Sequence, residues 1–473
     1  MLRAIRPGIA AILENKPLTG VKLSQKVGLL HNEPVSGWDL VVVSATVLAF
    51  AIVSRRVDRS IITPAILFVA VGLLLGDKGF GVFDSSAAEA DVRLFAEVTL
   101  ALVLFADASA LDTKTLRRET RVPSRLLGIG LPLSILIGTI VAIPFFPTLG
   151  LFEAAALAVL LAPTDAALGQ AVVSDSRLPS RVRQGLSVES GLNDGLCVPL
   201  LFAAIATAEL AEAPSYDGEV VIDLVKEVGI ASLVGVSVAV TVVLLFKMSM
   251  RRDWMDDHWA QVVPLAAAAL SYVATDELGG SGFIATFVAG LVYGHLLGSQ
   301  AHHTILLSEE IGGVLSAVTF FLFGAFFVGP ALADLDIQTA IYAVLSLTIV
   351  RMLPVAIGFI GSGAAPPTMA FAGWFGPRGL ASIVFMLTIA EESNLLGTEI
   401  IVQVVTVTVA LSVVAHGLTA NVLINRYIRW FDQSKEALVL ETQKVDMPGL
   451  DRGRWHRRGG GRSALPDDVV ASD

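Results

Sequence analysis

Thirteen predominantly apolar stretches, each close to the ~20 residues an α-helix needs to cross a bilayer, dominate this 473-residue chain. They fall at residues 38–54, 61–76, 93–111, 126–147, 152–173, 185–209, 220–247, 258–275, 280–297, 311–330, 337–360, 368–390 and 399–424. Within hydrocarbon every backbone N–H and C=O must be satisfied inside the segment, so such runs fold as helices. The reading is an all-α polytopic membrane protein of about thirteen transmembrane helices. Composition agrees: 54% of residues are hydrophobic and 16% charged, where a soluble domain carries about 25% charged residues. The net charge of -10 sums both sides of a bilayer and a polar tail, and says little about partners. The single cysteine, Cys197, excludes an internal disulfide and a cysteine-based metal site.

Loop charge sets the orientation. Alternate loops hold Arg55, Arg56 and Arg59; Lys114, Arg117, Arg118, Arg121 and Arg125; Arg177, Arg181 and Arg183; and Lys247, Arg251 and Arg252. The intervening loops hold almost none, Lys78 and Arg93 being the exceptions. Positive loops face the cytoplasm. This places the N-terminus outside and the C-terminus in the cytoplasm of a bacterial-type inner membrane. The basic residues of 1–37 dissent. That stretch lacks a secretory cleavage pattern and reads as an interfacial or disordered leader. Residues 38–427 form the membrane domain. Residues 428–473, with Gly459, Gly460, Gly461 and a run of acids, read as a polar cytoplasmic tail.

Ionisable groups inside a span are costly, and each is a functional hypothesis. Span 5 contains Pro163-Thr164-Asp165, span 6 Glu189-Ser190-Gly191-Leu192-Asn193-Asp194, and span 12 Gly376-Pro377-Arg378-Gly379. At a rise of 1.5 Å per residue, Asp194, Asp165 and Arg378 all lie roughly 14–20 Å deep, near the middle of the bilayer. Pro163 and Pro377 each remove a backbone donor and turn the preceding residue out of the α region. Both helices should unwind at mid-membrane. Paired broken helices in corresponding halves mark a transporter site. With spans 1–6 and 8–13 as inverted repeats, span 5 maps onto span 12.

On span 6, Glu189 and Asn193 share one helical face, and Ser190 and Asp194 the adjoining one. Carboxylate, hydroxyl and amide oxygens suit a hard cation such as Na⁺; Thr164 and Asp165 add to the set. Glu189 can be neutralised by Arg378 in a structural ion pair, which leaves Asp165 and Asp194 with fewer partners. An unpaired carboxylate in low dielectric takes up a proton, and a bound cation serves the same purpose. Proton and cation then compete for one site. Asp107 on span 3 and Arg351 on span 11 are further candidates, Arg351 as a partner for one of the acids.

At this point the chain resembles the NhaP-type branch of monovalent cation/proton antiporters. The resemblance covers residues 38–427 and rests on the order of Thr164-Asp165, Glu189-Ser190, Asn193-Asp194 and the glycine-flanked Arg378. It implies crossing broken helices 5 and 12, alternating access and a homodimer. It implies Asp194 as the main carboxylate, Asp165 and Thr164 lining the site, and Glu189 bridged to Arg378. An Asn-Asp pair is similar to the electroneutral members, with Na⁺ and H⁺ as the transported ions. Two positions depart from the branch: Ala106 stands where a glutamate is usual, with Asp107 following, and Ala166 stands where a proline is usual. K⁺/H⁺ exchange on the same fold and a cation channel stay open as alternatives. An aspartyl intramembrane protease would need a Gly-x-Gly-Asp motif, which is missing. No nucleotide-binding loop or nucleic-acid module is found, so membrane lipid and the transported ions are the expected partners, with no cofactor and no enzymatic activity.

Overall fold

A computed structural model describes residues 37–57, 60–83, 89–111, 121–212, 219–393 and 395–434. Among these residues every regular element is helical. In chain order the helices are α1 (Gly37–Val57), α2 (Pro64–Leu75), α3 (Glu89–Ala110), α4 (Val122–Phe145), α5 (Leu151–Leu160), α6 (Gln170–Val173), α7 (Ser180–Glu212) and α8 (Glu219–Arg251). They continue as α9 (Asp257–Glu277), α10 (Gly282–Thr304), α11 (Leu306–Ala333), α12 (Ile337–Gly358), α13 (Pro366–Trp374), α14 (Leu380–Glu392) and α15 (Thr398–Ser434). All thirteen apolar runs are helical. Spans 5 and 12 are each split in two, into α5 and α6 and into α13 and α14. Eight helices (α1, α4, α7, α8, α10, α11, α12 and α15) are long and apolar enough to cross a bilayer; α2, α5 and α14 are shorter apolar helices. The leader, up to residue 36, and the tail beyond residue 434 lie outside the described residues. The last helix runs to Ser434, past the tail boundary expected at residue 428.

Local chemistry sets several helix starts. Pro64 opens α2 behind Thr63, whose side chain accepts the Ile66 N–H. The Asp336 carboxylate accepts the Thr339 N–H at the head of α12 at 2.7 Å. Both devices satisfy donors that a helix start leaves unpaired.

Two close helix contacts repeat each other. Gly72 on α2 and Gly76 just past its end, four residues apart, lie so near α11 that an added methyl group would strike the carbonyl oxygen of Phe321 and of Ala325, respectively. Gly290 and Gly294, four apart on α10, lie equally near α3, against the carbonyls of Phe105 and Ser109. The inverted repeat expected from the sequence pairs span 2 with span 9 and span 3 with span 10. It therefore maps the α2–α11 contact onto the α10–α3 contact. Small residues at four-residue spacing let backbones approach where lipid gives no hydrophobic drive. Both contacts flank the broken helices and hold the scaffold around them.

Gly294→Val should lower the melting temperature of the detergent-solubilised protein, because overpacking against backbone costs about 1–3 kcal/mol or more. Gly229→Val on α8, where an added Cβ meets nothing within 4 Å, should leave it within experimental scatter. Equal melting curves for the two variants would contradict the close-contact assignment.

Candidate functional site at the crossing of two broken helices

α5 stops at Leu160 and the chain stays non-helical through the Pro163 region until α6. α13 stops at Trp374, and residues 375–379 are non-helical before α14 begins. The two breaks cross in direct contact: the Asp165 N–H donates to the Pro377 carbonyl at 2.8 Å.

Each break supplies what the other lacks. The break after α5 leaves carbonyls outside any helix, and the Arg378 guanidinium donates to two of them, Ala162 O at 2.5 Å and Pro163 O at 3.1 Å. The start of α14 strands N–H groups, and Asp165 Oδ2 accepts one, from Leu380, at 2.8 Å. Asp165 Oδ1 accepts two more from its own turn, Ala167 N–H at 2.7 Å and Leu168 N–H at 3.1 Å. A cation at a helix C-terminus and an anion at a helix N-terminus both oppose the helix dipole. Ser382 adds a hydrogen bond to Leu160 O at 2.7 Å.

The glycines flanking Arg378 follow from this packing. A methyl group on Gly379 would occupy the place of the Asp165 carboxylate, and one on Gly376 would strike the Arg351 guanidinium. Both positions are kept bare so that charged groups can lie on the backbone.

α7 brings its polar stripe against the first break. Asn193 Nδ2 donates to Thr164 Oγ1 at 2.7 Å, Ser190 Oγ lies 3.2 Å from the same hydroxyl, and Ser190 Oγ also donates to the Thr164 carbonyl. Ser190 and Asn193 thereby join α7 to the break. Two oxygens are left over: Asn193 Oδ1 and Asp194 Oδ1 are buried and have no hydrogen-bond partner. They belong to consecutive residues of α7, the first of which is hydrogen-bonded to Thr164. Burying such acceptors unpaired is costly, and a cation or a proton removes the cost. Asp107 lies against Gly191 on the next turn of α7, its Cβ 3.7 Å from where a Gly191 Cβ would stand. A narrow cleft bounded by Gly169, Val172 and Pro377 reaches Asp165 and Ser190 from the side of α6. The crossing thus gathers Thr164, Asp165, Ser190, Asn193 and Asp194, as the sequence suggests.

One expected pair is corrected. Glu189 is bridged by Arg351, with Nη1 to Oε1 at 2.5 Å and Nη2 to Oε2 at 2.9 Å, both side chains buried. Arg378 is drawn instead to the stranded carbonyls of α5, which need a donor in an apolar medium. The planar fork of Arg351 then meets Glu189 in the two-bond geometry that makes such pairs strong. Sequence reasoning also passed over Glu153, Ser412 and His416. The Glu153 carboxylate, buried, accepts N–H groups from Gly150 and Gly397, each at 2.7 Å, and ties the head of α5 to the head of α15. A glutamate three residues after a helix-capping position is its sequence signal. For His416, the signal is an ionisable group in an otherwise apolar span.

A model of the transmembrane sodium/hydrogen exchanger family matches residues 42–426. The chain is 23% identical over 350 residues to a K(+)/H(+) antiporter NhaP of Alkalimonas amylolytica, covering 73% of this chain and 60% of that one. It is 25% identical to the Na(+)/H(+) antiporter ApNhaP of Aphanothece halophytica, covering 76% of this chain and 69% of the relative. The fold matches that of the sodium proton antiporter MjNhaP1 from Methanocaldococcus jannaschii with a TM-score of 0.69 at 21% identity, over 82% of this chain and 98% of the other. The chain thus spans about three fifths of the Alkalimonas relative's length, 60%.

Arg351→Ala strands a buried carboxylate and should cost on the order of 3–5 kcal/mol, read as a loss of folded protein or a large fall in melting temperature. The double replacement Glu189→Gln, Arg351→Gln should recover much of that loss. Simple additivity of the single effects would remove the bridge.

Proposed function

The chain belongs to the sodium/hydrogen exchanger family, and on that premise we propose that it is a secondary antiporter that moves Na⁺ against H⁺ through the crossing of its two broken helices. The observation that carries the reading is the pair of unpartnered buried oxygens on consecutive residues of α7, Asn193 Oδ1 and Asp194 Oδ1, where Asn193 is bonded to Thr164 of the first break.

Asp194 is the carboxylate that exchanges. Asp165 already accepts three backbone N–H groups, and Glu189 is neutralised by Arg351. Asp194 alone of the three has a buried oxygen with nothing bound to it. A cation at Asp194 draws oxygens from Asn193, Thr164, Ser190 and the near edge of Asp165, and a proton on Asp194 removes the charge that holds the cation. The two ligands compete, so each release is driven by the other's arrival. One freely titrating carboxylate trades one proton for one monovalent cation, which makes the exchange electroneutral. Alternating access presents the site to each side in turn. The cleft at Asp165 and Ser190 is lined in part by α6, and the loop that follows α6 carries the basic residues Arg177, Arg181 and Arg183 of a cytoplasmic side. The same charge pattern supports an inner-membrane location with the C-terminus in the cytoplasm. The resemblance to the NhaP branch supports a homodimer with thirteen crossings. Membership in a family of exchangers favours exchange over the channel alternative.

A second reading keeps the site and changes the ion to K⁺, since the Alkalimonas relative carries that name. Ligand number and cavity size decide between the two ions.

Reconstituted into proteoliposomes, the wild type should show proton movement driven by Na⁺. Asp194→Asn should stay folded and lose exchange by a factor of ten or more, on the order of 1.4 kcal/mol or beyond in transition-state terms. Exchange undiminished in Asp194→Asn would remove the proposed carrier. A K⁺ response exceeding that to Na⁺ would favour the second reading.

A further inference from the structure

α15 passes behind the second break, and two of its residues one turn apart reach the break from both ends. His416 Nε2 lies 2.8 Å from the carbonyl of Trp374, the last residue of α13. A carbonyl only accepts, so Nε2 carries the proton. At the other end, the Arg378 N–H donates to Ser412 Oγ at 2.7 Å. The hydroxyl hydrogen of Ser412 is then available to His416 Nδ1, 3.2 Å away. The neutral imidazole protonated at Nε2 closes an unbroken chain of hydrogen bonds from Trp374 to Arg378. Nδ1 also lies 2.9 Å from the Ser412 carbonyl, the nearer of its two oxygens; an imidazolium donates there and to Trp374 at once, so His416 joins α13 to Ser412 in either protonation state. Two cations, Arg378 on the break and Arg351 on α12, stand within electrostatic reach of the ring.

The surroundings leave little slack. Ser412 and His416 are buried, the Trp374 ring lies over the imidazole with centroids 5.1 Å apart, and Trp374 Nε1 is itself anchored on Thr419 at 3.0 Å. The residue gripped by this chain at its far end is the one whose guanidinium holds Ala162 and Pro163, immediately before Thr164. A shift of the Arg378 backbone is therefore passed to the first break and to the hydroxyl that Asn193 and Ser190 share.

We propose that His416, acting through Ser412, is a positioning residue for the cation site, holding the second break at the span that lets Arg378 grip the first. The inference rests on the antiporter reading. It adds a residue with no contact to the ion whose loss weakens cation binding more than it slows turnover.

The test uses the full-length protein in proteoliposomes, with proton flux measured against cation concentration, and cation-dependent thermal stabilisation measured in detergent. His416→Ala should raise the apparent KM for the cation about fivefold to tenfold, the factor that goes with one buried hydrogen bond. Maximal rate per folded protein should change far less. His416→Gln, whose amide can donate to Trp374 and accept from Ser412, should recover most of the affinity. Ser412→Ala breaks the same chain further along and should move KM in the same direction, so it decides the matter if His416→Ala does not fold. Wild-type KM in both alanine variants, whatever their melting temperatures, would overturn the proposal, and so would a glutamine variant as impaired as the alanine one. A wild type with neither flux nor cation stabilisation would overturn the antiporter reading and this inference together. Normal wild-type exchange with unshifted variants would overturn the inference alone.

Discussion

A helix that stops halfway across an apolar layer strands carbonyls before the stop and N–H groups after it, and no lipid can satisfy either. This protein stops two helices at one level and lets each answer the other. Arg378 from the second break takes the carbonyls at the end of α5, and Asp165 from the first takes the N–H at the head of α14. The surrounding helices serve this crossing. α7 closes on the first break through Ser190 and Asn193, and α15 on the second through Ser412 and His416. These are the sixth and thirteenth spans, which an inverted repeat equates. The glycine contacts of α2 with α11 and of α10 with α3 form a second pair related in the same way.

That arrangement divides labour among three buried charges, the half-buried Asp165 and one carboxylate with an unpartnered oxygen. Asp165 and Arg378 are committed to backbone. Glu189 and Arg351 are committed to each other, and Arg351 also lies against bare Gly376 on the second break, so the ion pair links α7 and α12 to the crossing. Asp194 retains an unpartnered oxygen, and its neighbour Asn193 contributes an amide where a second carboxylate would bring a second charge. In the proposed antiport, a rigid crossing with a single exchangeable carboxylate would trade one cation per proton. Part of the cost of assembling so many polar groups in a low-dielectric interior is met by the bonds across the crossing, while Arg351 Nε, Arg378 Nε and Nη2, Asn193 Oδ1 and Asp194 Oδ1 are buried without a hydrogen-bond partner.

Much of this was legible beforehand. Run length placed the helices, and Pro163 and Pro377 marked both breaks. The four-residue spacings of Glu189, Ser190, Asn193 and Asp194 put the polar stripe on one side of α7. What eluded the sequence was pairing between helices. Arg351 and Arg378 are both buried cations, and depth along a helix says nothing about which one meets Glu189. Stranded carbonyls decided it, and they exist only once the breaks cross. Asp165 could be placed at the site from the sequence, but not its capping of α14, which depends on a residue 215 positions away. Gly376 and Gly379 stood out in the sequence only as the flanks of Arg378; their place is explained by the charged groups that lie on them. His416 sits in a long apolar run, and its role depends on Trp374 and Arg378 meeting that face of α15.

The central claim is that proton and cation contend for the same carboxylate, Asp194. The most direct measurement is the apparent KM for the driving cation in wild-type proteoliposomes across a series of pH values equal on both sides. Competition for one site requires KM to rise as pH falls, approaching tenfold per pH unit on the acid side, while the maximal rate stays nearly constant. A KM that stays flat across the range, with only the maximal rate changing, would place proton and cation at separate sites and contradict the account.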